Sequence, residues 1–267
     1  MAGVAGSRVG LGIVGFGSFG RFLAEHLRPY FDIVVCDPLD LRESAHARAV
    51  RWGSLEEVAG RRLVVLAVPV QELESVLAEI SGSLRPGALV IDVSSVKVKP
   101  AELMAKLLPK GVDRLGTHPM FGPQSGAGGI GGLKVVISPP AAPRSKAVRR
   151  FLESRLRLEV LEMEPEQHDG EMAYIQGLTH WMAKALREIR LPALELSTPA
   201  YRHLLKIEEI LREDSDDLFL TIQKENPFAA EARSELKRRL AAIEDWIENG
   251  EGPAAGLRRS ELERKRR

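Results

Sequence analysis

A chain of 267 residues, 44% apolar and 28% charged, has the composition of a globular protein with room for one large domain or two modest ones. A formal net charge of +1 gives no reason to expect a nucleic-acid partner. No apolar run approaches the roughly 20 residues of a membrane helix. The N-terminal MAGVAGSRVG lacks a secretory pattern, and the single cysteine, Cys36, leaves no intrachain disulfide to form. The expectation is a soluble, cytoplasmic protein without a membrane partner.

In chain order, Val9 to Gly15 is a short apolar run that reads as a buried strand. It leads into Gly15-Phe-Gly-Ser-Phe-Gly20 and then a helix, Arg21 to Arg28, with Phe22, Leu23 and Leu27 on one face. A G-x-G-x-x-G pattern is weak alone, but at a strand-to-helix junction it has a mechanism. Gly15 permits the tight turn, Gly17 lets a pyrophosphate approach the backbone, and Gly20 allows close helix packing. Helix-start amides then face the phosphates, so Phe16, Ser18 and Phe19 join the glycines as candidate cofactor contacts. The next strand, Asp32 to Asp37, ends in an acid 22 residues after Gly15. An acid there bonds ribose hydroxyls and repels a 2′-phosphate, so Asp37 predicts NAD rather than NADP.

Strands at Arg62–Val68 and Ala88–Val93 and helices at Val70–Ile80 and Pro100–Leu108 follow, then a strand from Val112 into His118. Such alternation predicts a Rossmann-type, doubly wound parallel α/β sheet. In that architecture ligands bind beyond the carboxyl ends of the strands. The glycine turn, Val68-Pro69, Ser94-Ser95 and His118 all fall there. Pro119 holds His118 extended, and Gly122-Pro123 bends the chain away. A lone histidine is as often structural as functional, but this one is placed beside a nicotinamide. The glycine-rich run Ala127–Gly132 is either a lid or a plain connector. Leu133–Ile137 and Leu158–Met163 are the last strands, with a helix at Lys146–Leu156 between them.

From Pro165 only helical patterns recur: Glu166–Arg190, Tyr201–Arg212, Ser215–Glu225 and Ala229–Trp246. The expected division is a nucleotide-binding domain over 1–164, an all-helical C-terminal dimerisation domain over 165–250, and a disordered basic tail over 251–267. A helical region that small is expected to pack on the first domain and on a second copy of itself. His168 and His180 are 12 residues apart, about 120° around a regular helix, so they are not expected to share a face. There is no cysteine cluster and no His-Glu-x-x-His pattern, so no metal is expected.

With both halves in view, the chain resembles the prephenate/arogenate dehydrogenase family of tyrosine biosynthesis, in its short single-function form. The resemblance rests on the glycine turn, Asp92-Val-Ser-Ser-Val-Lys97, Thr117-His-Pro-Met-Phe-Gly-Pro123 and His168-Asp-Gly-Glu-Met-Ala-Tyr-Ile-Gln-Gly-Leu-Thr-His180. It implies NAD-dependent oxidative decarboxylation of prephenate to 4-hydroxyphenylpyruvate, with arogenate, which gives tyrosine directly, as the alternative substrate. It also implies that His118 polarises the C4 hydroxyl, that Ser95 bonds the hydroxyl or the histidine, and that His180 positions the substrate. Ser94, Gln124 and Arg202 are further substrate candidates, and a homodimer through the helical domain is implied. One departure stands out: Pro199-Ala-Tyr-Arg202 keeps one expected arginine, but Glu208-Glu209 stand where a second is expected. That acidic pair is expected to face solvent. Two rivals stay open: another dehydrogenase of similar build, which would use a lysine for proton transfer, and a nucleotide-binding protein without catalysis.

Overall fold

The structure, a computed structural model, describes residues 8–212 and 214–250. Among them, eight strands form one sheet: β1 Val9–Val14, β2 Phe31–Cys36, β3 Arg51–Trp52, β4 Leu63–Leu66, β5 Leu89–Asp92, β6 Asp113–Pro119, β7 Lys134–Ser138 and β8 Glu159–Glu162. Their order is β3-β2-β1-β4-β5-β6-β7-β8. The strands alternate with helices α1 Ser18–Leu27, α2 Arg42–Ala47, α3 Leu55–Ala59, α4 Leu73–Ile80, α5 Val98–Leu107 and α6 Ser145–Ser154. Helices lie on both faces because both faces are apolar. Ile33 and Val35 of β2 pack with Leu11, Ile13 and Ala24, while Val34 and Cys36 point the other way onto Val58, Leu73 and Leu77.

The strands β1 to β6 are parallel, as expected, and the order reverses direction between β1 and β4. The expectation of a wholly parallel sheet fails at β7. It pairs antiparallel with β6, with His118 opposite Val136. The reason is the connection. A parallel neighbour needs a crossover, usually a helix, whereas residues 120–133 supply only turns. Strand β8 returns through α6 and is parallel to β7.

The glycine-rich run is seated rather than free. Ile130 is buried. Phe121 meets the Phe22 ring edge-on at 6.2 Å. A methyl group on Gly126 would lie 2.5 Å from the Phe22 ring. These contacts hold the loop against Phe22 of α1 at Phe121, Gly126 and Ile130.

After Glu162 the described chain is helical: α7 Pro165–Met172, a π-helical turn at Ala173–Leu178, α8 Thr179–Ile189, α9 Pro199–Leu211, α10 Asp216–Leu220, a second π turn at Thr221–Glu225, and α11 Ala229–Asn249. The first π turn corrects the reading of His168 and His180. A π turn bonds i to i+5 and so absorbs roughly one extra residue. Twelve residues then act like about eleven, or roughly 1100°, within about 20° of three full turns. The two histidines therefore lie on the same side of the helix, and both are buried.

The helical half is pinned to the sheet by polar contacts. Asp169 accepts from the Lys97 and Val98 amides at 2.7 and 2.9 Å, capping α5 from a distant part of the chain. Gln71 bonds Thr221 at 3.1 Å, and Lys99 pairs with Glu225 at 2.6 Å. Asn226 donates to the Asp169 carbonyl at 2.8 Å. No helix among the described residues is long and apolar enough to cross a membrane. The expected basic tail, 251–267, lies outside the described residues.

Candidate active site

The glycine turn follows β1 and closes tightly. Gly15 has φ +94°, and a methyl group on it would lie 2.4 Å from the Ala67 carbonyl oxygen. A methyl group on Gly20 would lie 2.1 Å from the Gly15 carbonyl oxygen, so α1 packs directly on the turn. A methyl group on Gly17 would meet nothing within 4 Å. The protein's own packing therefore does not require glycine at 17. Gly17 caps α1 without a side-chain hydrogen bond, leaving the Ser18 and Phe19 amides to point out of the helix start. Phe16 is fully buried under the turn, and Ser18 is exposed. Asp37 follows β2. Its Oδ2 accepts from the Phe16 amide at 2.7 Å and its Oδ1 from the Leu39 amide at 3.0 Å. Val68 and Pro69 follow β4, and Val68 packs against Gly15.

Ser94 and Ser95 follow β5. Ser94 is folded back on its own loop, its hydroxyl donating to the Val96 carbonyl at 2.9 Å and its amide to Asp92 at 3.0 Å. Beneath this loop lies Lys97, almost wholly buried, whose ammonium pairs with Asp92 and donates to the Thr117 carbonyl at 2.8 Å. Burial pulls the Lys97 pKa down, while the adjacent Asp92 and Asp169 charges oppose the fall. Lys97 stands inside one of the quoted motifs but had no role assigned from sequence, because nothing local says that its side chain turns inward.

His118 is the penultimate residue of β6 and is 3% exposed. No hydrogen bond among the described residues joins it to Ser95, which the resemblance made its companion; its partner is His168. His118 Nδ1 lies 2.9 Å from His168 Nε2, and His168 Nδ1 lies 2.7 Å from Asp169 Oδ1. His118 Nε2 has no hydrogen bond among the described residues. Burial, then the neighbouring His168 and Lys97, hold the His118 pKa well below the ordinary histidine value. The ring is thus a neutral base at ordinary pH, with one nitrogen anchored and the other free to accept a proton or hydrogen bond.

His180 lies on α8 in a separate polar pocket. Its Nδ1 is 3.6 Å from Asp214 Oδ2. Arg187, Glu208 and Arg212 line the same pocket. Burial lowers the His180 pKa, with Asp214 acting the other way, and burial raises that of Asp214 against the pull of His180. Glu208 does not face solvent as expected. Its side chain is 17% exposed and makes a two-point contact with Arg212, at 2.6 and 3.1 Å. That contact, foremost its hydrogen bond, holds the Glu208 carboxyl below its ordinary value. Glu209 is exposed, as expected. Arg202, also exposed, bonds the Ser197 carbonyl at 2.7 Å and does not line the pocket. The guanidinium groups beside His180 belong instead to Arg187 and Arg212. Arg187 was findable, since it sits seven residues, about two turns, beyond His180. Gln124 is exposed on the loop after His118.

Among the described residues no group of three or more His, Cys, Asp or Glu side chains gathers to hold a metal. The glycine turn, Asp37, Val68, Ser94 and His118 share one rim, the carboxyl edge of five parallel strands, flanking the point where strand order reverses.

Residues 39–151 match the family model "Prephenate dehydrogenase, nucleotide-binding domain", and residues 185–253 match "TYRAAT1-like, C-terminal domain". The chain is 32% identical over 241 residues to arogenate dehydrogenase 2, chloroplastic, of Arabidopsis thaliana, covering 86% of this chain and 67% of that protein. It is 32% identical over 237 residues to arogenate dehydrogenase 1 of the same plant, covering 85% of this chain and 37% of that longer protein. The fold is shared with Aquifex aeolicus prephenate dehydrogenase, solved with hydroxyphenyl propionate and NAD+, at a TM-score of 0.72 and 22% identity, over 98% of this chain and 99% of that one. On these matches, the chain belongs to the prephenate/arogenate dehydrogenase family.

Proposed function

We propose that this chain catalyses the NAD-dependent oxidative decarboxylation of a 4-hydroxycyclohexadienyl acid, arogenate in preference to prephenate. The observation that carries the reading is His118, a neutral buried base anchored through Nδ1, on the same sheet edge as an open glycine turn. Residues of the turn suit a dinucleotide. The uncapped start of α1, with Gly17 open to approach, would take the pyrophosphate, and Asp37 would accept from ribose hydroxyls. Val68 and Pro69 would line that groove, and Phe16, buried beneath the turn, would support it from below. Bound NAD supplies a hydride acceptor.

His118 Nε2 accepts the hydrogen bond of the substrate's C4 hydroxyl and so raises the electron density at C4. The C4–H electron pair leaves as hydride, the bond to the ring carboxylate breaks to release CO2, and its electron pair completes the aromatic ring. The proton held between His118 and the oxygen stays with the phenol. Ser95 adds a hydroxyl on the same rim. The His180 pocket, with Arg187 and Arg212, would receive the side-chain end of the substrate.

The preference for arogenate reverses the order read from the sequence. It is supported by the two plant arogenate dehydrogenases at 32% identity. It is also supported by Asp214, a carboxylate beside His180 that pairs with no lysine or arginine among the described residues and suits an ammonium group.

The domain division at residue 164 remains our proposal, as does a homodimer through the helical half. On α11, Leu240, Ile243, Trp246 and Ile247 recur at helical spacing and are 44–71% exposed, an apolar stripe that a second copy would cover. The test of function is NADH formation from arogenate and prephenate side by side, with higher kcat/KM expected for arogenate. No turnover of either would overturn the reading.

A further inference from the structure

His118 is gripped by residues from outside its own strand. Asp169 is acceptor-only, so the 2.7 Å contact from His168 Nδ1 to Asp169 Oδ1 places a proton on His168 Nδ1. With His168 neutral, its Nε2 is a lone pair 2.9 Å from His118 Nδ1. His118 Nδ1 must then carry the hydrogen, and His118 Nε2 must be bare. The competing arrangement protonates both nitrogens of His168 and turns His118 Nε2 into a donor. It would place an imidazolium at a site with no exposure, near the buried Lys97 ammonium, while Asp169 already accepts two backbone amides. The remaining charged neighbour, Asp92, is taken up by Lys97. The arrangement with both histidines neutral is therefore favoured.

We propose that His168 and Asp169 are positioning residues that lock His118 in the Nδ1–H tautomer, and that this lock exists only while the helical half is docked on the sheet. The second clause follows from Asp169, since the carboxylate that orients His168 is the same one that caps α5. Undocking the helices removes the cap and the tautomer lock together. A neighbour that fixes which histidine nitrogen carries the proton acts on turnover without touching substrate.

The proposal builds on the reading of His118 as the base, but its first test needs no substrate. In protein labelled with 15N-histidine, the His118 signals, assigned by their loss in His118→Asn, are expected to show a protonated Nδ1 and an unprotonated Nε2. In His168→Leu that pattern is expected to give way to a mixture, with kcat lower by about a hundredfold or more and NAD affinity unchanged. His168→Gln offers a carbonyl acceptor at a similar reach and is expected to recover at least about tenfold of that loss. Asp169→Asn is expected to lower kcat and to loosen α5 in hydrogen exchange. A bare Nδ1 on His118 in the parent protein would overturn the proposal. So would His168→Leu retaining both the tautomer and a kcat within about threefold of the parent. If the parent turned over neither substrate, the tautomer measurement would still decide between these outcomes.

Discussion

Asp37 Oδ2 accepts the Phe16 amide at 2.7 Å, so the end of β2 and the glycine turn form one unit. The acid we propose to read the ribose also shapes the loop we propose to read the phosphates. Asp37→Ser is therefore expected to act twice. The ratio of kcat/KM for NAD over NADP should fall at least about tenfold, because the repulsion of a 2′-phosphate is gone. Stability should fall by about 1 kcal/mol, the worth of the loop bond. Steady-state kinetics with both cofactors and a denaturant titration measure these effects. A parent enzyme that already prefers NADP would refute this view of Asp37.

Gly17 and Gly20 differ in what surrounds them, and that difference separates binding from folding. Nothing in the protein opposes a methyl group on Gly17, whereas one on Gly20 would strike the Gly15 carbonyl oxygen at 2.1 Å. Gly17→Ala should leave the melting temperature within a few degrees, losing about 0.5–1 kcal/mol at the helix cap. Its NAD dissociation constant should rise about tenfold or more. Gly20→Ala should instead destabilise the fold by about 1–3 kcal/mol. Thermal melts with and without NAD distinguish the two. Unchanged NAD binding by Gly17→Ala would remove the turn from the cofactor site.

Two buried histidines contribute a dependence of stability on pH near neutrality. Burial lowers the folded-state pKa of both His118 and His180. The unfolded chain takes up these protons near the ordinary histidine value of about 6.5, and the folded chain does not. Below that pH the unfolded state binds more protons, so stability falls as pH falls. The melting temperature is expected to be level above about pH 7 and to drop on acidification through pH 6.5 toward the lowered folded values. A melting temperature that rose between pH 7 and 5 would contradict the neutral state assigned to these rings. For the same reason, kcat/KM should not titrate with an ordinary histidine pKa.

We place the difference between the two candidate substrates at the Asp214–His180 contact. An ammonium on arogenate would meet a carboxylate there, and the keto group of prephenate carries no charge to pair with it. Asp214→Asn is expected to raise KM for arogenate about tenfold and to leave KM for prephenate nearly unchanged. Equal effects on both substrates would assign Asp214 to holding His180 rather than to discrimination.

Local signals placed the candidate residues on the carboxyl edge of the sheet, and long-range contacts hid their supports. The glycine turn, Asp37 and His118 were legible because strand-end position in a parallel sheet is set by the hydrophobic pattern alone. Segment 38–61 carries no legible elements in sequence. Its helices α2 and α3 and strand β3 run only two to six residues, too short for a periodicity to show. The reversal at β7 was hidden because the strand pattern carries no direction. His168 was visible as part of a motif but not as the partner of His118. Fifty residues separate them, and the π turn that brings His168 and His180 to the same side has no sequence signature.

We propose above all that His118 serves chemistry rather than architecture. His118→Asn, assayed for NADH formation with arogenate and for NAD binding by calorimetry, tests this most directly. The expected result is an NAD dissociation constant within about threefold of the parent and a kcat lower by about 100- to 10,000-fold, the range of a lost acid–base group. Turnover near that of the parent would contradict it.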